Sequence, residues 1–336
     1  MSLTVYHDLH LGVQRSAGTT PLTAWNLRQS MLTQFADLMD AARDNDVILL
    51  GDLFDSASVP MADWLRTFQI LHEWVVYTTK TLYLVAGNHD LSKTDTTLSS
   101  FQLLCKVLED LHHDRVVSVF KPMGFKYGWI IPHLPNQDLF DAAIAEVPNS
   151  VDNLFLHCNF SNNFAAQSDQ SLNLTQEQAA ACPADRIIIA HEHQTRKIGK
   201  VWIPGNQIVS SVSDCLNTQA KQCFKILRGV AQLEILYPIH EVFEEISWSE
   251  LRHSDKAFIR ITGAALTNEA PDVVTAISNY RKSSNAFVVS NAVKILTEDG
   301  SDVFAKSLES VKAFDVMAAL RAFLTPEEYS VVEQLT

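Results

Sequence analysis

The chain has 336 residues, 47% of them hydrophobic and 19% charged, with a formal net charge of −13. That length suits one large domain and a smaller one, and the composition excludes a disordered chain. The acidic balance argues against a general polyanion-binding surface, although bound divalent cations can supply positive charge locally. No apolar run has membrane-spanning length, the start MSLTVYHDLH lacks a basic region followed by an apolar one, and the five scattered cysteines form no CxxC pair. A soluble cytoplasmic protein with reduced thiols is the expectation, with no membrane partner.

Strand-like and helix-like segments alternate along the first 235 residues. Leu3-Thr4-Val5-Tyr6 reads as a short strand. Residues 23–45 read as a helix, with Leu27, Met31, Leu38 and Ala42 at helical spacing. Val47-Ile48-Leu49-Leu50 is a buried-type strand, and Pro60 opens a helix whose apolar face carries Trp64, Phe68, Leu71 and Val75. Leu82 to Ala86 is the next strand, followed by a helix near 98–110 and strands near 116–120 and 126–132. Asn153 to Leu156 and Arg186 to Ile189 complete the series of core strands. Such alternation implies right-handed crossovers and a sheet covered by helices. After about residue 240 the character changes to a small α/β unit: a strand over Lys256–Thr262, a helix over Pro271–Tyr280 and a strand over Ala286–Ile295. Two helices close the chain. The first carries a stripe of Val311, Phe314, Met317, Leu320 and Leu324, suited either to a partner or to its own domain. Thr325-Pro326-Glu327-Glu328 starts the second.

Five segments place metal-binding side chains just after a strand: Asp8-Leu9-His10, Gly51-Asp52, Asn88-His89 within GNHD, His157, and His191-Glu192-His193. In open α/β sheets, sites form at the carboxyl ends of strands, so these ends can converge. Carboxylate, amide oxygen and imidazole together suit manganese, iron or zinc more than a pure magnesium or calcium site. Asp8, His10, Asp52, Asn88, His157, His191 and His193 are too many ligands for one catalytic ion but enough for two if one carboxylate bridges. Taken alone, each residue has a plainer explanation: Asp8 and Asp52 could be turn formers, and His157 a satisfied core histidine. His72, His112, His113, His240 and His253 read as structural or solvated; His133 follows a strand and could line the substrate cleft, but a surface loop is the expectation.

The ordered set D-x-H, GD-x-x-D, GNHD, a lone H and H-x-H resembles the signature of calcineurin-like metallophosphoesterases. The flavour DLHLG, GDLFD, GNHD and HEH, followed by Trp202-Ile203-Pro204-Gly205, resembles the SbcD family, the nuclease subunits of SbcC–SbcD repair and recombination complexes. The resemblance implies an α/β fold, a sandwich of mixed β-sheets flanked by helices over 1–240. It also implies a capping α/β domain over 241–300 and C-terminal helices over 301–336 that bind a coiled-coil ATPase of the SbcC type. Two divalent ions are implied, manganese ahead of magnesium, iron or zinc. Asp8, His10 and His193 would hold one ion, Asn88, His157 and His191 the other, and Asp52 would bridge. His89 would be the catalytic residue, free of metal and facing the scissile phosphate. Asp55 and Asp90 would orient a histidine or water behind the ligands. DNA would be the substrate, cut by 3′-to-5′ exonuclease and single-strand endonuclease action, by a homodimer joined through helices around 60–77 and 98–110. The alternative is a phosphatase or phosphodiesterase of the same superfamily acting on nucleotides or phosphoproteins. Three positions depart from the family pattern: Ala190 stands where glycine is usual, His7 where a small hydroxyl residue is common, and Asp55 where some relatives have histidine.

Overall fold

A computed structural model describes residues 2–14, 20–92, 97–162 and 171–297. The C-terminal helices expected over 301–336 lie outside the described residues. The chain divides into two units, the first running to Glu244 and also taking in Asp255–Ile259 and Asn285–Val289.

In the first unit, β1 (Ser2–Tyr6), α1 (Pro21–Ala41), β2 (Asp46–Leu50), α2 (Met61–Tyr77), β3 (Leu82–Val85), α3 (Ser100–His112) and β4 (Val116–Val119) come first. Next are β5 (Met123–Phe125), β6 (Gly128–Ile131), α4 (Gln137–Ala145), β7 (Asn153–His157), β8 (Asn159–Phe160), β9 (Asn173–Leu174) and α5 (Gln176–Ala181). The unit continues with β10 (Arg186–Ala190), β11 (Arg196–Ile198), β12 (Val201–Ile203), β13 (Ala220–Leu227) and β14 (Val230–Pro238). Two six-stranded sheets result, ordered β14-β13-β1-β2-β3-β4 and β11-β12-β10-β7-β6-β5. In each, four neighbouring strands are parallel: β1 to β4 in the first, and β12, β10, β7 and β6 in the second. Antiparallel strands extend both sheets at their edges, so both are mixed.

Side chains alternate across each strand, and that alternation builds three apolar layers. Val5, Ile48, Leu50 and Val85 of one sheet pack in a single cluster with Ile130, Phe155 and Ile188 of the other. Val47, Leu49, Leu82 and Leu84 turn the other way, onto Leu27, Phe35, Leu71, Trp74 and Leu104 of α1, α2 and α3. Leu154, Leu156, Ile187 and Ile189 likewise meet Phe140 and Ile144 of α4 and Ala179 of α5. The fold is therefore an α/β sandwich of two mixed sheets flanked by helices. Helix starts follow their capping residues: Thr20, Ser99 and Asn136 accept backbone N–H groups at α1, α3 and α4. Pro60 is the residue before α2 and not its first member. Among the described helices, none is long and apolar enough to cross a membrane.

The remaining elements are β15 (Phe243–Ser247), β16 (Phe258–Thr262), β17 (Ala264–Leu266), α6 (Ala270–Ser283), β18 (Val288–Asn291) and β19 (Lys294–Leu296). Within the second unit β17 and β19 pair in parallel, and Trp248 Nε1 donates to Ala264 O at 2.9 Å. The single strand expected over Ala286–Ile295 is two. Asn291 Oδ1 accepts from Val293 N at 3.0 Å, and such a local side-chain bond turns the chain away from a continuing ladder.

Candidate metal centre

Five parallel strands end at one place. β1 leads into Asp8 and His10, β2 into Asp52, β3 into Asn88, β7 ends on His157 and β10 leads into His191. The first two loops are tied by backbone bonds: Asp8 N donates to Gly51 O at 3.1 Å and His10 N to Asp52 O at 3.0 Å. Seven non-glycine residues with positive φ occur among the described residues, and four are site residues: Asp8, His10, Asp52 and His191. Such conformations cost about 1–3 kcal/mol each and persist only where the surroundings impose them. Two glycines make the room. A Cβ on Gly51 would lie 2.1 Å from His157 Nδ1, and one on Gly87 would lie 2.2 Å from Asp52 Oδ1.

Possible ligand atoms crowd together. His10 Nε2 is 3.1 Å from His193 Nε2, and His157 Nε2 is 2.9 Å from Asn88 Oδ1. Asp52 Oδ2 lies 3.4 Å from His157 Nε2 and 3.9 Å from His10 Nε2, between the two sets. Asp8–His10–His193, His10–Asp52–His89 and Asp52–His157–His191 each gather ligand atoms within 4.8 Å of one another. Ligands about 2.0–2.2 Å from one ion stand roughly 3–3.5 Å apart, so the closest of these separations are those of a coordination sphere. Lone-pair nitrogens face each other with only a proton or a cation to reconcile them, and the set fits one or two divalent ions.

Charge follows the same geometry. Burial pushes the Asp8 and Asp52 carboxyls up, but neighbouring imidazoles outweigh it and hold both below the ordinary range: His7, His157 and His193 for Asp8, and His157, His10 and His89 for Asp52. Burial would depress His157, yet Asp52 and Asp8 raise it to about 9. His193 is raised against burial by Asp214, while burial and His193 depress His10. Ligation through His157 or His193 would have to displace the proton that the neighbouring carboxylates favour on each.

His89 stands apart from its neighbour Asn88. Its Nδ1 donates to the Asp55 carbonyl oxygen at 2.6 Å and its backbone N to Asp52 Oδ1 at 2.9 Å. Its ring lies edge-on to His10, with centroids 5.0 Å apart. With Nδ1 occupied, Nε2 is left free, and the ring also counts in the set with His10 and Asp52. The Asp55 carboxylate lies 3.6 Å from His10 Nδ1. Asp90 ties backbone segments of the site together. Its carboxylate accepts from the backbone of Phe54 at 3.1 Å, Gly87 at 3.0 Å and Leu53 at 3.4 Å, which locks two site loops together. Burial and the Asp52 charge raise it to about 7.

Sequence reasoning missed several residues. His133, expected on a surface loop, sits beside the centre: its ring is edge-on to His157 at 6.4 Å, and its N donates to Ala86 O. Burial and His157 push it down to about 4. Asp214 Oδ1 meets His193 Nδ1 at 2.6 Å. His7 Nδ1 meets Asp8 Oδ2 at 2.7 Å, and Gln207 Oε1 accepts from His7 N. Glu192 turns away from its two flanking histidines to Phe160 N and Arg196. At the mouth is a cavity of about 200 Å³ lined by His10, Asp52, Asp55, His89, His191, His193 and Ser210.

A family model of calcineurin-like phosphoesterases matches residues 1–195, more than half of the chain. The chain belongs to the calcineurin-like phosphoesterases and is a metal-dependent hydrolase of that superfamily. No curated protein matches it.

Proposed function

We propose that the protein is a two-metal phosphodiesterase acting on nucleotide-type phosphate esters. The observation that carries this reading is the place of Asp52, whose Oδ2 lies between His10 and His157 while its Oδ1 holds the backbone of His89. Asp8, His10 and His193 would hold one ion, Asn88, His157 and His191 the other, and Asp52 both, with manganese among the ions that mixed oxygen and imidazole donors suit. Bound ions supply Lewis acidity toward the phosphoryl oxygens and lower the pKa of water. The chain supplies position and a proton. The Asp55 carbonyl holds His89 Nδ1–H, so Nε2 is the nitrogen offered to the substrate; as an imidazolium the ring would give its Nε2 proton to the departing oxygen and be left neutral with the proton on Nδ1. Asp90 keeps the loops carrying Asp52 and Asn88 in register. The small cavity beside His10, Asp52 and His89 has room for a phosphoryl group.

A second reading is narrower: a DNA nuclease subunit working with a coiled-coil ATPase. It is favoured by the run DLHLG, GDLFD, GNHD and Trp202-Ile203-Pro204-Gly205. Under this reading residues beyond 300 dock the ATPase, and helices α2 and α3 join two copies. One experiment separates the readings. Protein stripped of metal and recharged with manganese is offered p-nitrophenyl phosphate, bis(p-nitrophenyl) phosphate, a cyclic nucleotide, a phosphopeptide, and duplex and hairpin DNA. Turnover of the diester above the monoester supports the phosphodiesterase. Cleavage of DNA ends or hairpins ahead of every small ester selects the nuclease. Preference for the phosphopeptide or the monoester overturns both.

A further inference from the structure

We infer that Asp214 is a positioning residue for His193: it fixes the proton on Nδ1 and so presents Nε2 to a metal ion held with Asp8 and His10. This rests on the proposed reading of His193 as a ligand and goes beyond it, because Asp214 lies outside every motif and beyond the residues the family model matches.

Bond accounting around this carboxylate is nearly closed. Asp214 is 1% exposed. Its Oδ2 accepts from Ser210 N at 2.9 Å, Ser211 N at 2.9 Å, and the Ser210 and Ser211 hydroxyls at 3.0 Å each. Four donors converge on that oxygen, and the two from Ser210 are buried, so rotating the carboxylate would strand them. Oδ1 is thereby aimed at His193 Nδ1, 2.6 Å away. A carboxylate without a proton only accepts, so Nδ1 must donate. Nε2 then carries the lone pair, and it is the nitrogen that stands 3.1 Å from His10 Nε2. Outer carboxylates of this kind fix the tautomer of a metal-bound imidazole and raise its basicity, and their loss typically costs about 10–100-fold in metal affinity. Behind the pair, Lys221 is fully buried with its Nζ on Asn206 Oδ1, and its cation partly balances Asp214 and Asp8.

The competing explanation is a cap. Asp214 closes a capping box with Ser211 on the short turn Val212–Cys215, and that alone could account for its burial. Asp214→Asn separates the two. The amide oxygen can still accept at the Oδ2 position, but the amide nitrogen then faces Nδ1 and reverses the imidazole proton, as an amide does in place of a tautomer-fixing carboxylate.

Manganese titration against a competing chelator should show one of two ions weakened about 10–100-fold in Asp214→Asn, with the melting temperature nearly that of the parent. Ser211→Ala, which removes one capping hydroxyl and leaves the other three donors on the carboxylate, should weaken that ion far less than Asp214→Asn. Equal affinities in Asp214→Asn, or the same loss in Ser211→Ala, would make Asp214 a cap and overturn the inference. A second measurement needs neither metal nor a stable Asp214 variant. Long-range ¹H–¹⁵N spectra of the chelator-treated parent at alkaline pH, with His193 identified through His193→Gln, should show the proton on Nδ1. A proton on Nε2 overturns the inference. A parent that binds no metal yet protonates Nδ1 keeps the inferred tautomer while refuting the proposed function.

Discussion

The two halves of the centre are anchored by different chemistry. His193 is oriented by a side chain, the buried Asp214 carboxylate on the 206–214 segment. His157 is oriented by the main chain, its Nδ1 at 3.1 Å from Leu50 O at the end of β2. The carbonyl cannot be removed by substitution, because it belongs to a strand whose register is set by β1 and β3 on either side. The carboxylate can be removed, and it carries a full charge. The half with His193 is therefore open to tuning through a distant segment, whereas the half with His157 depends on the sheet and on the bare backbone of Gly51. Asp52 lies between His10 and His157, and under the proposed reading its substitution should erase the difference.

The largest effect is expected there. Asp52→Ala removes the oxygen that lies between His10 and His157. Elemental analysis after manganese loading should find both sites weakened, with occupancy falling from two ions per chain toward none. If one ion stays at parental affinity, Asp52 belongs to one half only, and the comparison needs a different bridging group.

Next in size is the proton donor, which should belong to neither half. His89→Asn should leave metal content and fold intact while single-turnover cleavage of a diester falls by about 10²–10⁴-fold. Asn88→Ala, one residue earlier, should lower metal content as well as rate. Loss of an ion from the His89 variant would assign the residue to the set it forms with His10 and Asp52, and cleavage at the parental rate would remove it from the proton transfer.

Gly51→Ala tests the half built on backbone. Gly51 has φ +82° and its new Cβ would meet the His157 ring. Backbone strain of roughly 1–3 kcal/mol is expected before the clash is counted. The variant should melt lower than the parent and lose the ion held by His157 while keeping the one held by His193. Weakening of both ions alike would show that the halves are not separately anchored.

What could be read from the sequence follows the same division. The seven ligand candidates closely follow or end apolar strand runs, where period and position announce them: Leu3 to Tyr6 before Asp8, Val47 to Leu50 before Asp52, Arg186 to Ile189 before His191. The strands themselves were legible for the same reason, as buried parallel strands read as unbroken apolar runs. Asp214 was not legible, because VSSVSD reads as a polar turn until the fold brings it to His193. His133 follows Pro132 and precedes Leu134-Pro135, a composition that suggests a loop at the surface. Only the parallel pairing of β6 with β7 places it beside His157. The edge hairpin β13–β14 was also missed. Its strands mix charged and apolar residues, as in Lys221, Lys225 and Glu234, and Lys221 and Lys225 are buried by partners that no local pattern discloses.

The smallest effect concerns a pair outside both halves, needed to separate the pH response of the fold from that of the centre. His112 of α3 and His72 of α2 bring Nε2 and Nδ1 to 2.9 Å. Burial, His72 and Arg115 all depress His112 below its ordinary value. An unfolded histidine takes up a proton near pH 6.5, and the folded one resists it to lower pH. The stability that neutral His112 contributes is thus present above pH ~6.5 and is lost as the pH falls through its depressed folded value. His10 and His133 are displaced in the same direction, and His157, His193 and Asp90 in the opposite one, so the centre of the chelator-treated parent adds a pH response of mixed sign. His112→Leu removes one contribution and leaves those of the centre in place. Thermal melts between about pH 7.5 and 5.5 should give a shallower slope for the variant than for the parent. Equal slopes would mean that His112 contributes nothing to the acid response in this range.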